Sequence, residues 1–260
     1  MRVVRLYAEG LRLEEVELPV PREGEVLVEV HAAAITRGEL EWPAGPLPAV
    51  PSHELSGVVV DTGERVFALT PFDRDGVAAD YAVVPTAILA AKPRNLTHVE
   101  AAALPMGGLS AWQALFVHGR LQPGERIIVT GSAGGVGHLA VQLARHAGAV
   151  VVEDPPADLV FDTVGGELPV GGRTITIAAQ SPGATYFIVE PDRSQLVELA
   201  RLADTGEVVP MIDSTFALER ARDAFDRVAA RGKRGKGIRC RRPAVQPAMI
   251  FPLTTQASAR

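Results

Sequence analysis

The chain has 260 residues, of which 47 % are hydrophobic and 22 % charged, so it can bury one large or two modest cores. Its formal net charge of −5 argues against a nucleic-acid partner. The sequence has no apolar run near the ~18 residues of a membrane helix and no apolar signal core at its start. The single cysteine, Cys240, excludes an internal disulfide and a cysteine-rich zinc site. We therefore expect a cytoplasmic protein with no membrane partner.

The first hundred residues are predicted to form a β-rich domain. Short runs of β-branched or alternating apolar residues are separated by glycine and proline. Strands this short and this closely spaced indicate a compact barrel or sandwich. The predicted strands cover residues 3–6, 13–17, 25–33, 57–60, 66–69 and 79–84.

Helical patterns begin near residue 97. Thr97 and Glu100 have the spacing of a capping box, and further helices are predicted over 110–118 and 216–231. The segment 237–239 is predicted to be a last strand. The predicted domains are 1–100 (β-rich), 101–215 (nucleotide-binding), 216–242 (a helix and strand that return to the β-rich domain) and 243–260 (a mobile tail or docking arm).

A strand, a glycine-rich turn and a helix follow one another between residues 126 and 148. Glycines let the backbone approach a pyrophosphate closely, and the N-terminus of a helix offers it free N–H groups and partial positive charge. The sequence therefore predicts a dinucleotide site in this turn. Its residues are Gly131, Ala133, Gly134, Gly135, Val136 and Gly137.

The segment after Gly148 is too short for a complete nucleotide-binding half, since each parallel crossover takes a dozen or more residues. In one interpretation, 150–152 is a second strand with Glu153 or Asp154 at its tip, which would favour NAD over NADP. In the other, which we favour, 149–156 is a bridge without a strand. The adenosine-binding edge is then lost, and both acids are solvated linker charges.

Several segments together resemble the zinc-independent quinone oxidoreductase and enoyl reductase branch of the medium-chain dehydrogenase/reductases. They include PSHELSGVVV (51–60), EAAALPMGGLSAWQAL (100–115), VTGSAGGVG (129–137), LVFDTVGGE (159–167) and RGKGIRC (234–240). The resemblance covers roughly residues 1–240. It implies an α/β fold with a GroES-like barrel domain and a truncated, doubly wound Rossmann-type parallel sheet, with a cleft between them.

The resemblance also implies NADPH or NADH as the hydride donor to a small molecule, namely a quinone, an enone or an enoyl thioester. Relatives of this branch commonly form homodimers by joining their parallel sheets edge to edge. In this chain the corresponding edge is predicted at 185–189, which is β-rich and apolar.

The resemblance implies the candidate catalytic residues Thr36, His53, Glu54 and Ser110. The zinc-dependent branch needs a cysteine near Thr36 and four cysteines in a lobe, so we expect no zinc and a packed or hydrogen-bonded His53. Thr36 replaces the usual Asn-Pro pair and can donate a hydrogen bond. Ser110 matches a threonine beside the nicotinamide, or else is a helix N-cap. Asp162, which ends a predicted strand, is assigned to the cofactor site.

Two other functions remain open. One is a non-redox descendant that catalyses a cyclisation, isomerisation or addition on a polyketide-like substrate, with His53, Glu54, Glu39 or Asp80 as acid or base. The other is a binding or accessory subunit without catalysis. The family resemblance favours the reductase, whereas the shortened segment after Gly148 favours the other two functions.

A basic run near the C-terminus could bind an acidic carrier protein or a phosphate. We favour the ordinary interpretation, the basic end of a helix and a last strand, because the net charge is negative and no aromatic residues interleave. The run comprises Arg231, Lys233, Arg234, Lys236, Arg239, Arg241 and Arg242.

Overall fold

The N-terminal part of the chain is β-rich, as predicted. The structure is a computed structural model that describes residues 1–42, 46–230 and 234–240. β1 and β2 form an antiparallel ribbon, and the strands that follow belong to a second sheet. The strands are β1 (Arg2–Tyr7), β2 (Gly10–Glu15), β3 (Glu25–Ile35), β4 (Glu54–Val59), β5 (Arg65–Leu69), β6 (Tyr81–Pro85) and β7 (Ala90–Ala91).

The nucleotide-binding part contains a five-stranded parallel sheet in the order β12-β11-β10-β8-β9. Every pairing in it is parallel, with Leu159 opposite Ile127 in the centre. The predicted Rossmann-type fold is confirmed. The strands are β8 (Arg126–Val129), β9 (Val150–Val151), β10 (Leu159–Asp162), β11 (Arg173–Thr176) and β12 (Thr185–Tyr186).

The described residues also form five α-helices. Thr97 caps the first with the predicted capping box, because its side chain accepts from the Glu100 backbone while Glu100 accepts from the Thr97 backbone. The helices are α1 (His98–Ala102), α2 (Pro105–Trp112, followed by a π-helical stretch over Gln113–His118), α3 (Gly137–His146), α4 (Arg193–Asp204) and α5 (Ala221–Ala229). Among the described residues, no helix has the length and apolarity to cross a bilayer.

The end of the chain returns to the N-terminal sheet. β13 (Ile212–Ala217) and β14 (Lys236–Cys240) extend that sheet to the order β13-β14-β3-β4-β5-β7, with β6 also paired to β3. β14 lies antiparallel to β3, with Gly237 opposite Ile35. The C-terminal strand is thereby held beside the first residue after β3, Thr36.

The parallel sheet carries its helices on one face. Because neighbouring strand residues point to opposite faces, Ile127 and Phe161 join the core under α2, α3 and α4. Ile128 and Val160 face the other way and are covered by the connecting residues Val152 and Ala157. Within the described part of the chain, no helix covers this second face, so the truncation has removed one layer of the doubly wound arrangement.

Three local predictions need correction. The helix predicted over 110–118 begins at Pro105, a residue favoured in the first turn, so Ser110 lies inside α2 and is not its N-cap. The helix predicted over 216–231 is shorter because Phe216 is drawn into β13 by pairing with β14. The predicted edge strand 185–189 is reduced to the two residues of β12. The tail 243–260 lies outside the described residues.

Two of the three described residues of the basic run are buried, and the third, Arg234, is exposed. Lys236 and Arg239 are only 3 % and 1 % exposed, because β14 is packed inside the sheet. Arg231, Lys233, Arg241 and Arg242 lie outside the described residues.

His98, the first residue of α1, is held neutral at the junction of the two parts. Its ring lies 4.4 Å from the ring of His31, and its Nδ1 lies 2.8 Å from Ser56 Oγ. Burial lowers the pKa of His98 to about 4, and the charges of His31, Lys92 and Arg65 act in the same direction. The start of α1 therefore depends on an uncharged imidazole.

We expect the free energy of unfolding to fall as the pH drops from about 6.5 to about 4. Below pH 6.5 the unfolded chain binds a proton at His98, whereas the folded protein does so only near pH 4. Urea unfolding at pH 7 and pH 5 should show a smaller loss for His98→Gln than for the native protein. His146→Gln, at the half-exposed end of α3, is the control. An equal loss in His98→Gln would exclude this histidine as the cause.

Candidate active site

The turn between β8 and α3 has the shape that the glycine pattern predicts. Gly131 has a φ of +67°, and a Cβ there would lie 2.6 Å from Thr163 Oγ1, so only glycine fits. Among the described residues, nothing accepts a hydrogen bond from the backbone N–H of Val136 or Gly137, whereas Gly135 follows the residue that bridges to Gly235. The two free donors lie at the N-terminus of α3, where the helix dipole favours an anion. The turn fits a phosphate group.

The chain just before β14 lies across this turn. The backbone N–H of Gly235 donates to the carbonyl of Ala133 at 3.2 Å. A Cβ on Gly135 would lie 3.1 Å from Cδ of Lys236. The aliphatic stem of Lys236 therefore packs directly on the glycine turn.

The ammonium group of Lys236 ends in a buried polar cluster. Its Nζ lies 2.5 Å from Glu54 Oε1 and 3.0 Å from Thr36 Oγ1. Thr36 Oγ1 also lies 3.2 Å from Glu54 Oε1, and the Met106 backbone N–H donates to Glu54 Oε2 at 2.9 Å. Glu54 is fully buried, whereas Thr36 is only half-buried. Thr36 is thus the member of the cluster that a substrate can reach.

Glu39 fixes the backbone on either side of this cluster. Its two carboxylate oxygens accept from the backbone N–H of Thr36 at 2.7 Å and of Ser52 at 2.8 Å. Burial raises the pKa of Glu39 to about 7, although both N–H donors oppose the rise. Its role in the structure is to position Thr36 and the segment that leads to His53.

His53 belongs to an aromatic group beside the cluster. Its Nδ1 lies 3.2 Å from Thr70 Oγ1, and its ring meets Phe72 nearly edge-on at 5.1 Å. Phe72 in turn meets Trp42 edge-on at 5.6 Å. Burial lowers the pKa of His53 and so favours the neutral ring. Trp42 and Phe72 pack against the core of the nucleotide-binding part, so this group lies at the boundary between the two parts.

Asp162 lies at the carboxyl end of β10 and is 1 % exposed. Its carboxylate accepts from the hydroxyls of Thr130 at 2.6 Å and Thr176 at 2.8 Å, and from the backbone of Val164 and Gly165. Burial raises the pKa of Asp162, but these hydrogen bonds outweigh it and hold the pKa below its usual value. Asp162 ties together the ends of three strands beside the glycine turn. Asp162 therefore has a structural role at the base of this turn, and no contact between its carboxylate and a ligand is needed to explain its burial.

The other candidate residues lie outside the cluster. Ser110 is buried inside α2 and is 3 % exposed. Asp80 forms a two-pronged ion pair with Arg2, at 2.8 and 3.0 Å, and holds β1 in place. The ion pair with Arg2 gives Asp80 a structural role.

Sequence reasoning missed Lys236 as a site residue. It is 182 positions from Glu54 and 200 from Thr36, so no local spacing indicates their contact. The only available signal was its place directly after Gly235, at the start of the last predicted strand.

The sheet ends early on the side where an adenosine would bind. β9 pairs with β8 only at Val150 and Val151, and the chain then turns back until the backbone N–H of Asp158 donates to Arg126 at 2.8 Å. The interpretation of 149–156 as a bridge without a strand is wrong. Seven residues span up to ~24 Å, enough to pass across β8 over two strand spacings of about 5 Å each without a helix. Glu153 and Asp154 follow β9 and are exposed.

Comparisons with known proteins agree with this architecture. Residues 22–94 match the alcohol dehydrogenase GroES-like domain, and residues 140–238 match the zinc-binding dehydrogenase family. A probable zinc-binding oxidoreductase, mitochondrial, of Arthroderma benhamiae is 30 % identical over 89 % of this chain and 93 % of its own length. That alignment spans 308 residues, more than the 260 of this chain, so the relative has segments that are missing here.

Two further comparisons point to the same type of enzyme. The 2-methylene-furan-3-one reductase of Solanum lycopersicum is 31 % identical over 88 % of this chain and 75 % of its own length. The quinone oxidoreductase of Thermus thermophilus, solved also in complex with NADPH, superposes with a TM-score of 0.80 at 28 % identity, covering 92 % of this chain and all of its own. The chain belongs to the medium-chain dehydrogenase/reductase superfamily and is an NAD(P)H-dependent oxidoreductase of the quinone and enoyl reductase type, with a shortened Rossmann domain.

Proposed function

We propose that this enzyme reduces a conjugated C=C bond of an enone or enal, or a quinone, at the boundary between its two parts, and that it does so without zinc. The observation that carries the proposal is the position of Lys236, whose stem rests on the glycine turn while its ammonium contacts Thr36. One residue thus connects the cofactor's phosphate site to a reachable hydroxyl. A bound reduced nicotinamide supplies the hydride.

Thr36 is the group that we assign to the substrate's carbonyl oxygen. Lys236 donates to Thr36 Oγ1, which leaves the hydroxyl hydrogen of Thr36 for an acceptor. In the structure two acceptors lie within reach of that hydrogen, Glu54 Oε1 at 3.2 Å and Met106 Sδ at 3.1 Å. When hydride reaches the β-carbon, negative charge grows on the carbonyl oxygen, and a hydroxyl backed by an ammonium stabilises it. A proton from solvent then completes the reduction.

The aromatic group provides the matching apolar wall. Trp42, Phe72 and His53 form a chain of edge-on ring contacts next to Glu54 and Thr36. Flat conjugated molecules pack well against such rings, and the rings exclude water from the growing charge. This environment supports a quinone or an unsaturated carbonyl as the substrate class.

The residues at this place do not fit zinc. A closed zinc site needs thiolate or imidazole ligands, and here the neighbours are a threonine, a single imidazole and one carboxylate already paired with an ammonium. Cys240 lies at the far end of β14, with its thiol near the carbonyl of Phe216. Among the described residues, no group of three histidines, cysteines or carboxylates is arranged to hold a metal. The proposed reaction therefore uses no zinc.

The carboxyl groups named in the non-redox hypothesis are not available to a substrate, which leaves the half-buried imidazole of His53 as its one remaining acid or base. Acid–base catalysis needs a carboxyl or imidazole that reaches the substrate. Glu54 is bound by Lys236 and Met106, and Glu39 is bound by two backbone N–H groups. Both carboxyl groups are buried, and Asp80 lies elsewhere.

Replacing Thr36 tests the assigned role. Thr36→Val removes the hydroxyl at nearly constant volume and should lower kcat for an alkenal or a benzoquinone by about 10²-fold, the usual effect of one lost oxyanion donor. Thr36→Ser keeps the donor and should remain within a few-fold of the native enzyme. Steady-state oxidation of NADPH and NADH gives the readout. Native activity in Thr36→Val would refute the assignment, and no oxidation with either substrate class would refute the proposed reaction.

Breaking the buried ion pair should destabilise the fold. Lys236→Met leaves the carboxylate of Glu54 buried and uncompensated, which is expected to lower the free energy of unfolding by about 3–5 kcal/mol. The double variant Lys236→Met/Glu54→Gln should recover part of that loss. Arg201→Ala breaks an exposed pair with Glu198 and should change stability by less than about 1 kcal/mol. Equal effects of the buried and exposed replacements in urea unfolding would contradict this assignment.

We also propose a homodimer formed through β12. This short strand ends the parallel sheet. Its own Tyr186 and the nearby Ile188 are exposed and apolar. Together with Gln113, His118 and others they line an open groove of about 510 Å³. An unpaired edge with apolar neighbours is a natural surface for a second copy.

Sedimentation velocity tests the dimer. Ile188→Glu should convert the dimer to a monomer, because the new carboxylate would be buried in the contact. Val170→Glu, on another exposed loop, should leave the dimer intact. A native protein that sediments as a monomer at micromolar concentration would exclude this contact.

A further inference from the structure

We infer that this enzyme draws little of its cofactor affinity from the adenosine half, so that reduced nicotinamide mononucleotide binds nearly as well as NADH, and NADPH binds no better. The inference rests on the proposed use of a nicotinamide cofactor. It concerns which part of that cofactor the shortened sheet can hold.

The first observation is the edge of the sheet. A complete dinucleotide-binding half continues beyond its second strand to a third, and the adenosine lies at the carboxyl ends of these strands. Here β9 has two residues and is the last strand on its side. Within the described residues no strand pairs with its outer edge, and Val150 is 49 % exposed there. The part of the sheet on which an adenosine would lie is therefore missing.

The second observation concerns the connecting segments around this edge. The chain from Val152 to Asp158 turns back across β8 without a helix. The segment 163–172, between β10 and β11, also forms no helix. Neither connection builds the second wall of an adenine pocket, so an adenine placed here would keep much of its contact with water and gain little from burial.

The third observation is the charge at this position. The residues that follow β9 are Val152, Glu153 and Asp154, and the two acids are exposed. A 2′-phosphate would meet these two carboxylates, so this edge of the sheet gives NADPH no electrostatic advantage over NADH.

The phosphate next to the nicotinamide keeps its site. The unpartnered N–H groups of Val136 and Gly137, at the N-terminus of α3, offer the same donors to one phosphate as to two. The ammonium of Lys236 contacts Thr36, the residue beside which we propose that the nicotinamide and substrate react. The contacts that remain are those that a mononucleotide can make.

Isothermal titration calorimetry of the full chain tests the inference with a binding readout. Reduced nicotinamide mononucleotide, NADH and NADPH are titrated separately, with AMP as a fourth ligand. We expect the three dissociation constants to agree within tenfold and AMP to give no heat at the same concentrations. A mononucleotide more than tenfold weaker than NADH, or an NADPH more than tenfold tighter, would overturn the inference while leaving the proposed function intact.

Two variants separate the phosphate site from the adenosine side. Ala133→Glu places a carboxylate on the exposed part of the glycine turn and should weaken all three nucleotides at least tenfold. Glu153→Gln should leave NADH binding within threefold. A larger loss in Glu153→Gln would show that this acid binds the ribose and would overturn the inference. If none of the three nucleotides binds to the native protein at millimolar concentration, both the inference and the proposed function are refuted.

Discussion

The buried ion pair between Lys236 and Glu54 is the interaction on which the site depends. Lys236 comes from the last strand, Glu54 from the start of β4, and Met106 adds a backbone donor from α2. Pairing and hydrogen bonds offset the cost of burying these two charges, and they form only where the three segments meet in the folded protein. The same pair holds Thr36 at the cleft and places an aliphatic stem on the glycine turn. Stability and the arrangement of the site thus share one cause.

The shortened nucleotide-binding part shows what this scaffold can lose. Its central strands keep their register, and the apolar face toward α2, α3 and α4 keeps a continuous core. The opposite face has lost its helical cover, and a few connecting residues such as Val152 and Ala157 replace it. The side of the sheet that bears the glycine turn is intact, because β8, α3 and the tie formed by Asp162 remain. The shortening therefore affects the outer edge at β9 and one face of the sheet, and leaves the turn between β8 and α3 in place.

Much of the fold could be predicted from local patterns. The short β-branched runs of the first hundred residues, the capping box at Thr97 and the glycine turn after β8 all depend on neighbours within a few positions. The errors arose where tertiary contacts overrode those patterns. Phe216 lies on an apolar helical stripe in the sequence but pairs with β14 in the structure. The sequence of 149–156 favours a bridge, yet Val150 and Val151 pair with the open edge of β8.

The sequence by itself determined the family, the glycine turn and the lack of room for an adenosine-binding half. Each of these depends only on residues that lie close together along the chain. Only the tertiary structure decided which charged residues meet. Lys236 and Glu54 are 182 positions apart, and their contact exists because β14 returns to pair with β3. It also decided that Asp80 is tied to Arg2 and that Asp162 is a structural tie. A carboxylate's role depends on its partners and its burial, and long-range folding sets both.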